Sequence, residues 1–164
     1  MKFVPTIVKA HWQGPLGAMI VAATDNGVAG VWFDGQKHMP DHSPWREDAK
    51  HPHIVAAIAQ LREYFDGKRS SFDLPLDFAA GTPFQQSVWR ALLAIPHGAT
   101  TNYATLSRGI GAPQAARAVG AAVGRNPVSI VVPCHRVLGT GGALTGYAGG
   151  LERKSALLKL EGAL

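Results

Sequence analysis

Asn102-Tyr103-Ala104-Thr105-Leu106-Ser107-Arg108-Gly109-Ile110, then Gly111-Ala112-Pro113, then Gln114-Ala115-Ala116-Arg117-Ala118-Val119-Gly120-Ala121-Ala122-Val123-Gly124 decide how the C-terminal half folds. Asn102 is a helix N-cap, because its side-chain oxygen can accept from an otherwise unpaired N–H of the first turn. A helix is therefore expected from Tyr103 to about Ile110. Gly111-Ala112-Pro113 is turn chemistry, and a second helix is expected from Gln114 to about Gly124. Two short helices joined by such a turn read as a helix-turn-helix. The second helix is built of small residues with one long cation, Arg117. Small residues suit either a tightly packed core helix or a helix that approaches another surface closely.

Upstream, Thr82-Pro83-Phe84-Gln85 combines an N-cap, proline at the first helical position and a capping box. Phe84, Val88, Leu92 and Ile95 form one apolar stripe, and Pro96-His97-Gly98 ends the helix. A last helix is expected from Leu151 to Leu160. The N-terminal half reads differently. Gly17–Ala23 and Val28–Phe33 flank Asp25-Asn26-Gly27, a hairpin signal. Residues 35–52 are polar, with Pro and His, and read as a loop. Ile54, Ile58, Leu61 and Phe65 recur at helical spacing, with Gly67 as the stop, and residues 73–80 read as strand or linker. Two domains follow: an α/β domain with linker over 1–81, and a mainly α domain over 82–164.

The 164 residues are 46% hydrophobic, ordinary for a globular chain that buries a core. No apolar run is long enough to span a bilayer, so no membrane association is expected. Met1-Lys2-Phe3-Val4-Pro5 lacks the apolar region of a secretory signal. A single cysteine forbids an internal disulfide, and a cytoplasmic protein is expected. Charge divides unevenly. Residues 1–81 hold 8 Lys or Arg against 9 Asp or Glu, while residues 82–164 hold 8 against 2. A half so poor in acids is the footprint of a surface that meets phosphates, or a merely basic solvated face.

That lone cysteine lies in Ile130-Val131-Val132-Pro133-Cys134-His135-Arg136. Three branched apolar residues form a strand-like run that should be buried, and Pro133 stops it. A thiol beside an imidazole where a buried element ends can be a nucleophile at neutral pH. The plainer reading is a small buried hydrophobe.

The flanks narrow the choice. Asn126-Pro127-Val128-Ser129 precedes the motif, and Gly146-Tyr147-Ala148-Gly149-Gly150, Lys154 and Glu161 follow it. Together with Thr82-Pro83-Phe84-Gln85, Tyr103 and Ala115-Ala116-Arg117-Ala118-Val119-Gly120, the chain resembles the O6-alkylguanine-DNA alkyltransferases, also called methylated-DNA–protein-cysteine methyltransferases. The resemblance implies a ribonuclease H-like α/β N-terminal domain and a winged helix-turn-helix C-terminal domain. It implies a monomer that binds double-stranded DNA containing O6-alkylguanine, flips the damaged base and transfers its alkyl group to Cys134 in a single turnover. No cofactor, metal or obligate protein partner is implied. O4-methylthymine is implied as a second substrate.

Residue by residue, the resemblance makes Cys134 the acceptor, His135 its base through a bridging water and Glu161 the orienter of His135. Asn126 holds the turn, and Tyr103 donates a proton to the departing guanine. Arg117 fills the stack left by the flipped base, while Ala116, Gly120 and Ala121 let the helix approach the minor groove. Tyr147 and Ala148 wall the base pocket, and Arg136 supports structure. Relatives that carry zinc in the N-terminal half use cysteines this chain lacks, so His38, His42, His51 and His53 are expected on a surface loop. The alternatives are a non-catalytic protein recognising alkylated bases, against which Cys134 argues directly, and a thiol hydrolase using Cys134 and His135.

Overall fold

Alternation sets the first strands. Val8, Ala10 and Trp12 are buried while His11 and Gln13 are exposed, the period of a half-buried strand, and these residues form β1 (Val8–Gly14). The Asp25-Asn26-Gly27 hairpin joins β2 (Gly17–Thr24) to β3 (Gly27–Phe33) in antiparallel register, with Ile20 opposite Trp32. A short β4 (Arg46–Glu47) pairs parallel with β1, giving a sheet ordered β3-β2-β1-β4. Helix α1 (Pro52–Phe65) follows and packs on this sheet. Its buried stripe is Ile54, Ala57, Leu61 and Tyr64, turned slightly from the expected one, so Ile58 and Phe65 are only partly covered. Gly67 ends it at φ 73°, with Gly67 N–H bonded to Tyr64 O and Lys68 N–H to Glu63 O.

The computed structural model describes residues 1–164 and divides into two units, Met1–Gly81 with Pro127–Val131, and Thr82–Asn126 with Val132–Leu164. Residues 127–131 group with the first unit although they lie beyond Gly81 in sequence. Their backbone supplies what β3 needs at its outer edge: Val31 N–H donates to Pro127 O at 2.8 Å and Ser129 N–H to Val31 O at 2.9 Å. Leu76 covers the start of the same edge beside Val28. The run from Ile130 to Val132 is buried as expected but is not a strand. Ile130 sits at φ 73° and Val131 N–H folds back onto Ser129 O, a tight turn that a branched residue rarely adopts.

In the second unit, Thr82 caps α2 (Pro83–Leu92) through the full capping box. Burial begins one turn in, at Val88, Trp89 and Leu92, so Phe84 is 37% exposed rather than part of the core stripe. Asn102 closes the two-residue β5 (Thr101–Asn102) and caps α3 (Tyr103–Gly109) by accepting from Thr105 N–H at 2.8 Å. Residues 110–115 turn the chain, with Gly111 at φ 76° and the Ser107 hydroxyl bonded to Ala112 O. Helix α4 (Ala116–Gly124) begins two residues later than its sequence suggested, because Ala115 N–H still closes the turn onto Ala112 O. Trp89 Nε1 donates to Ala122 O at 2.8 Å and fixes α4 against α2. After a 3-10 turn at Cys134–Arg136, β6 (Val137–Leu138) pairs parallel with β5, and α5 (Leu151–Leu160) follows. No helix is long and apolar enough to cross a membrane.

Candidate active site

Pro133 and the 3-10 turn set the site. Cys134 N–H bonds to Val132 O at 2.8 Å, and Val137 N–H bonds to Cys134 O, so the thiol is carried on a closed turn. Asn126 braces it from the end of α4, donating from Nδ2 to Val132 O at 2.8 Å and hydrogen-bonding the Cys134 side chain. Cys134 is only 7% exposed. Burial pushes its thiol up to about 11, against the opposing pull of the Asn126 bond and the Lys154 charge.

His135 is fully buried, and its Nε2 lies 2.8 Å from Glu161 Oε2. The same carboxylate takes a fork from Arg136, whose Nε donates to Oε1 at 2.8 Å and Nη2 to Oε2 at 3.0 Å. Arg136 Nη1 donates to Ile95 O at 2.6 Å. A carboxylate already accepting two guanidinium bonds can only accept from imidazole, so the proton of neutral His135 sits on Nε2. Nδ1 therefore carries the lone pair, and this buried atom has no protein hydrogen-bond partner, the Cys134 sulfur included. Burial lowers the His135 pKa more than Glu161 raises it, which keeps the ring neutral and Nδ1 unprotonated.

Tyr103, in the first turn of α3, lies between two glycines. A Cβ on Gly120 of α4 would meet its Cδ1 at 3.7 Å, and one on Gly146 would meet its hydroxyl at 3.6 Å. Burial, then any charge on Cys134, raises the Tyr103 pKa, so the phenol keeps its proton for donation. Tyr147 and Ala148 are half-buried in the loop before α5. On α4, Val119, Ala122 and Val123 face the core. Ala116, Arg117 and Ala121 are exposed and Gly120 is partly so, one low face with a single long cation. The second unit thus brings together Cys134, His135, Glu161, Asn126 and Tyr103, and presents Arg117 to solvent.

Lys154 was visible in the sequence but carried no signal of its role. It is buried and bonded to three carbonyls, of Val137, Thr145 and Gly146. In the first unit, His42 is not a free loop residue, since Lys9 Nζ reaches its Nδ1 and its carbonyl oxygen, each at 2.8 Å. No three His, Cys, Asp or Glu side chains converge as a metal site.

Two family models divide the chain. The ribonuclease-like domain of 6-O-methylguanine DNA methyltransferase matches residues 7–78, and the DNA binding domain of that enzyme matches residues 83–163. The chain belongs to the 6-O-methylguanine DNA methyltransferase family. A methylated-DNA–protein-cysteine methyltransferase of Mycolicibacterium paratuberculosis is 46% identical over 91% of this chain and 88% of its own. One from Methanosarcina acetivorans is also 46% identical, over 93% and 97%. The crystal structure of Mycobacterium tuberculosis O6-methylguanine methyltransferase superposes with a TM-score of 0.86 at 43% identity, covering 96% of this chain and 93% of that one. Mycobacterium tuberculosis OGT in complex with DNA gives 0.85 at 43% identity, covering 96% and 92%. The methyltransferase fold, with its ribonuclease-like and helical DNA-binding domains, is the fold described above.

Proposed function

We propose that this protein repairs O6-methylguanine in double-stranded DNA by moving the methyl group onto its own Cys134, once per molecule. The observation that carries the reading is the buried Glu161–His135 pair beside the chain's one cysteine, in a family named for transfer of methyl groups to protein cysteine. In this reading His135 Nδ1 takes the thiol proton through an intervening water, because that atom has no direct bond to sulfur. The sulfur attacks the methyl carbon, the carbon–oxygen bond breaks, and its electron pair passes into the purine. Tyr103 supplies a proton to the guanine ring, so the leaving group departs neutral. The proton lost by the thiol balances the one gained by guanine, and His135 and Tyr103 recover through solvent. Asn126 keeps the turn closed throughout.

The thioether product has no bond that water readily cleaves, which makes the protein a single-use reagent. Access to the base requires extrusion from the helix, at a cost of a few kcal/mol in unstacking. Arg117 projects from the low face of Ala116, Gly120 and Ala121 and offsets part of that by taking the vacated place. Tyr147 and Ala148 line the pocket that receives the base. The acid-poor domain 82–164 carries DNA binding and transfer, while 1–81 forms a separate α/β domain. The same chemistry extends to O4-methylthymine, whose methyl group is also borne on an exocyclic oxygen. A nucleophilic lone thiol favours reducing surroundings, so the cytoplasm is the working compartment, and no obligate protein partner is needed. Mass spectrometry after incubation with duplex DNA containing O6-methylguanine tests the reading. One methyl group on the Cys134 peptide per lesion removed is expected; lesion loss with Cys134 unmodified, or a methyl group on another residue, refutes it.

A further inference from the structure

Helix α4 is poorly equipped to hold itself in place. It has 9 residues, shorter than a helix that is stable alone in water, and Gly120 lies within it. Ala115 at its N-cap makes no side-chain bond, and neither end carries a charge that would favour the helix dipole. Of its exposed residues only Arg117 is long, so no side-chain pair one turn apart braces the outer face. The support comes from behind. Trp89 on α2 is fully buried, and its indole N–H donates at 2.8 Å to Ala122 O, one of the last carbonyls of α4. At the other end Ser107 on α3, also fully buried, donates its hydroxyl to Ala112 O. That carbonyl also accepts Ala115 N–H at 3.0 Å, and Ala112 N–H bonds back to Ser107 O at 2.9 Å, so Ser107 fixes the turn that leads into α4.

We propose that Trp89 and Ser107 are positioning residues for duplex engagement, tying the two ends of α4 from behind and so setting the pose from which Arg117 enters the base stack. The inference rests on the function proposed above, in which Arg117 takes the place of the flipped base. Successive residues of a helix stand about 100° apart, so a modest rotation of α4 about its axis swings Arg117 well away from the stack. The Trp89 bond opposes that rotation at one end and the Ser107 bond at the other. Both ties reach α4 through buried carbonyl contacts, which adds no bulk to its exposed face. A capping side chain or a pair of long residues on that face would stand between α4 and an approaching duplex.

The test measures binding to a duplex containing O6-methylguanine by fluorescence anisotropy, in the full-length chain carrying Cys134→Ser so that no transfer intervenes. Trp89→Phe keeps an aromatic ring in the core and removes the N–H, while Ser107→Ala removes the hydroxyl. Each weakens lesion-duplex binding about fivefold, the worth of one hydrogen bond. The decisive comparison repeats both in an Arg117→Ala background. Ties that act by placing Arg117 cost less than about twofold once Arg117 is gone, whereas a general loss of structure costs the same in both backgrounds. Equal losses with and without Arg117 overturn the proposal, as does full affinity in either variant. Should Trp89→Phe fail to fold, Ser107→Ala carries the same comparison. Arg117→Ala binding as tightly as its parent refutes the plug itself, and this proposal with it. An unmodified Cys134 in the wild-type protein refutes methyl transfer alone, because the binding cycle involves no transfer.

Discussion

Glu161→Gln keeps the shape of the buried carboxylate and removes its charge. Two oxygens now accept three bonds, from Arg136 Nε and Nη2 and from His135 Nε2, at 2.8, 3.0 and 2.8 Å. A glutamine offers one oxygen and one NH2 in those places, so at least one guanidinium or imidazole N–H must face another donor. The guanidinium then keeps the Ile95 carbonyl but has lost its counter-ion. Breaking a buried pair from one side costs about 3–5 kcal/mol. At roughly 2–4 °C per kcal/mol for a chain of this size, the melting temperature falls by about 6–20 °C. The double variant Arg136→Met/Glu161→Leu removes both charges and recovers part of that loss, because an apolar pair needs no counter-ion while His135 Nε2–H and Ile95 O stay unpaired. Transfer does not recover with it. His135 has lost the acceptor that fixes its proton on Nε2, and the single-turnover rate stays down by about 10²-fold, the lower end of a general base's contribution. Calorimetry and rapid-quench transfer on a lesion duplex measure the two quantities separately. A single variant that melts within about 2 °C of wild type refutes the electrostatic account. A double variant that regains full rate shows that Glu161 acts only through packing.

Three further outcomes are expected. Arg117→Ala slows repair of duplex DNA far more than reaction with free O6-alkylguanine, which needs no extrusion; equal losses measured on both substrates make Arg117 structural. Cys134→Ser abolishes transfer and leaves duplex binding intact in a gel-shift titration, since a hydroxyl is a far weaker nucleophile at neutral pH, and residual methylation of the variant contradicts the mechanism. Acid should destabilise the fold through His135. Its folded pKa lies below the ordinary 6.5, so the unfolded chain binds the proton first, and stability drops as pH falls from about 6.5 toward the folded value. Urea midpoints across that window should fall more steeply for wild type than for His135→Gln, and parallel curves sink the assignment.

The elements legible from sequence are those whose causes are local. The Thr82–Gln85 capping box, the Asn102 cap, the Asn26-Gly27 hairpin and the last helix each depend on residues within a turn of one another. The alternation of Val8, Ala10 and Trp12 is equally local, but Lys9, His11 and Gln13 between them dilute an already short run. The Ile130–Val132 stretch misled for the opposite reason. Branched residues favour strands, but here Pro127 and Ser129 bond to Val31 and the chain then turns at Ile130 with a positive φ, a long-range arrangement that local preference does not encode. At the site, Cys134 and His135 announced themselves by adjacency. The Arg136–Glu161 fork spans 25 residues, and Lys154 reaches back 17 to Val137. Neither leaves a spacing that sequence can reveal, because both are set by where α5 lies against the 3-10 turn.

The burial of Cys134 has a consequence for the idle protein. With burial pushing the thiol up to about 11, the resting sulfur is protonated at neutral pH. The thiolate is the form that attacks peroxides, glutathione disulfide and stray alkylators, so keeping the proton on sulfur slows each of these reactions. For an enzyme that turns over, such reticence would only lower throughput. For a protein with one irreplaceable sulfur, it sets a long shelf-life, and the reactive form needs to exist only while a damaged base is docked beside it.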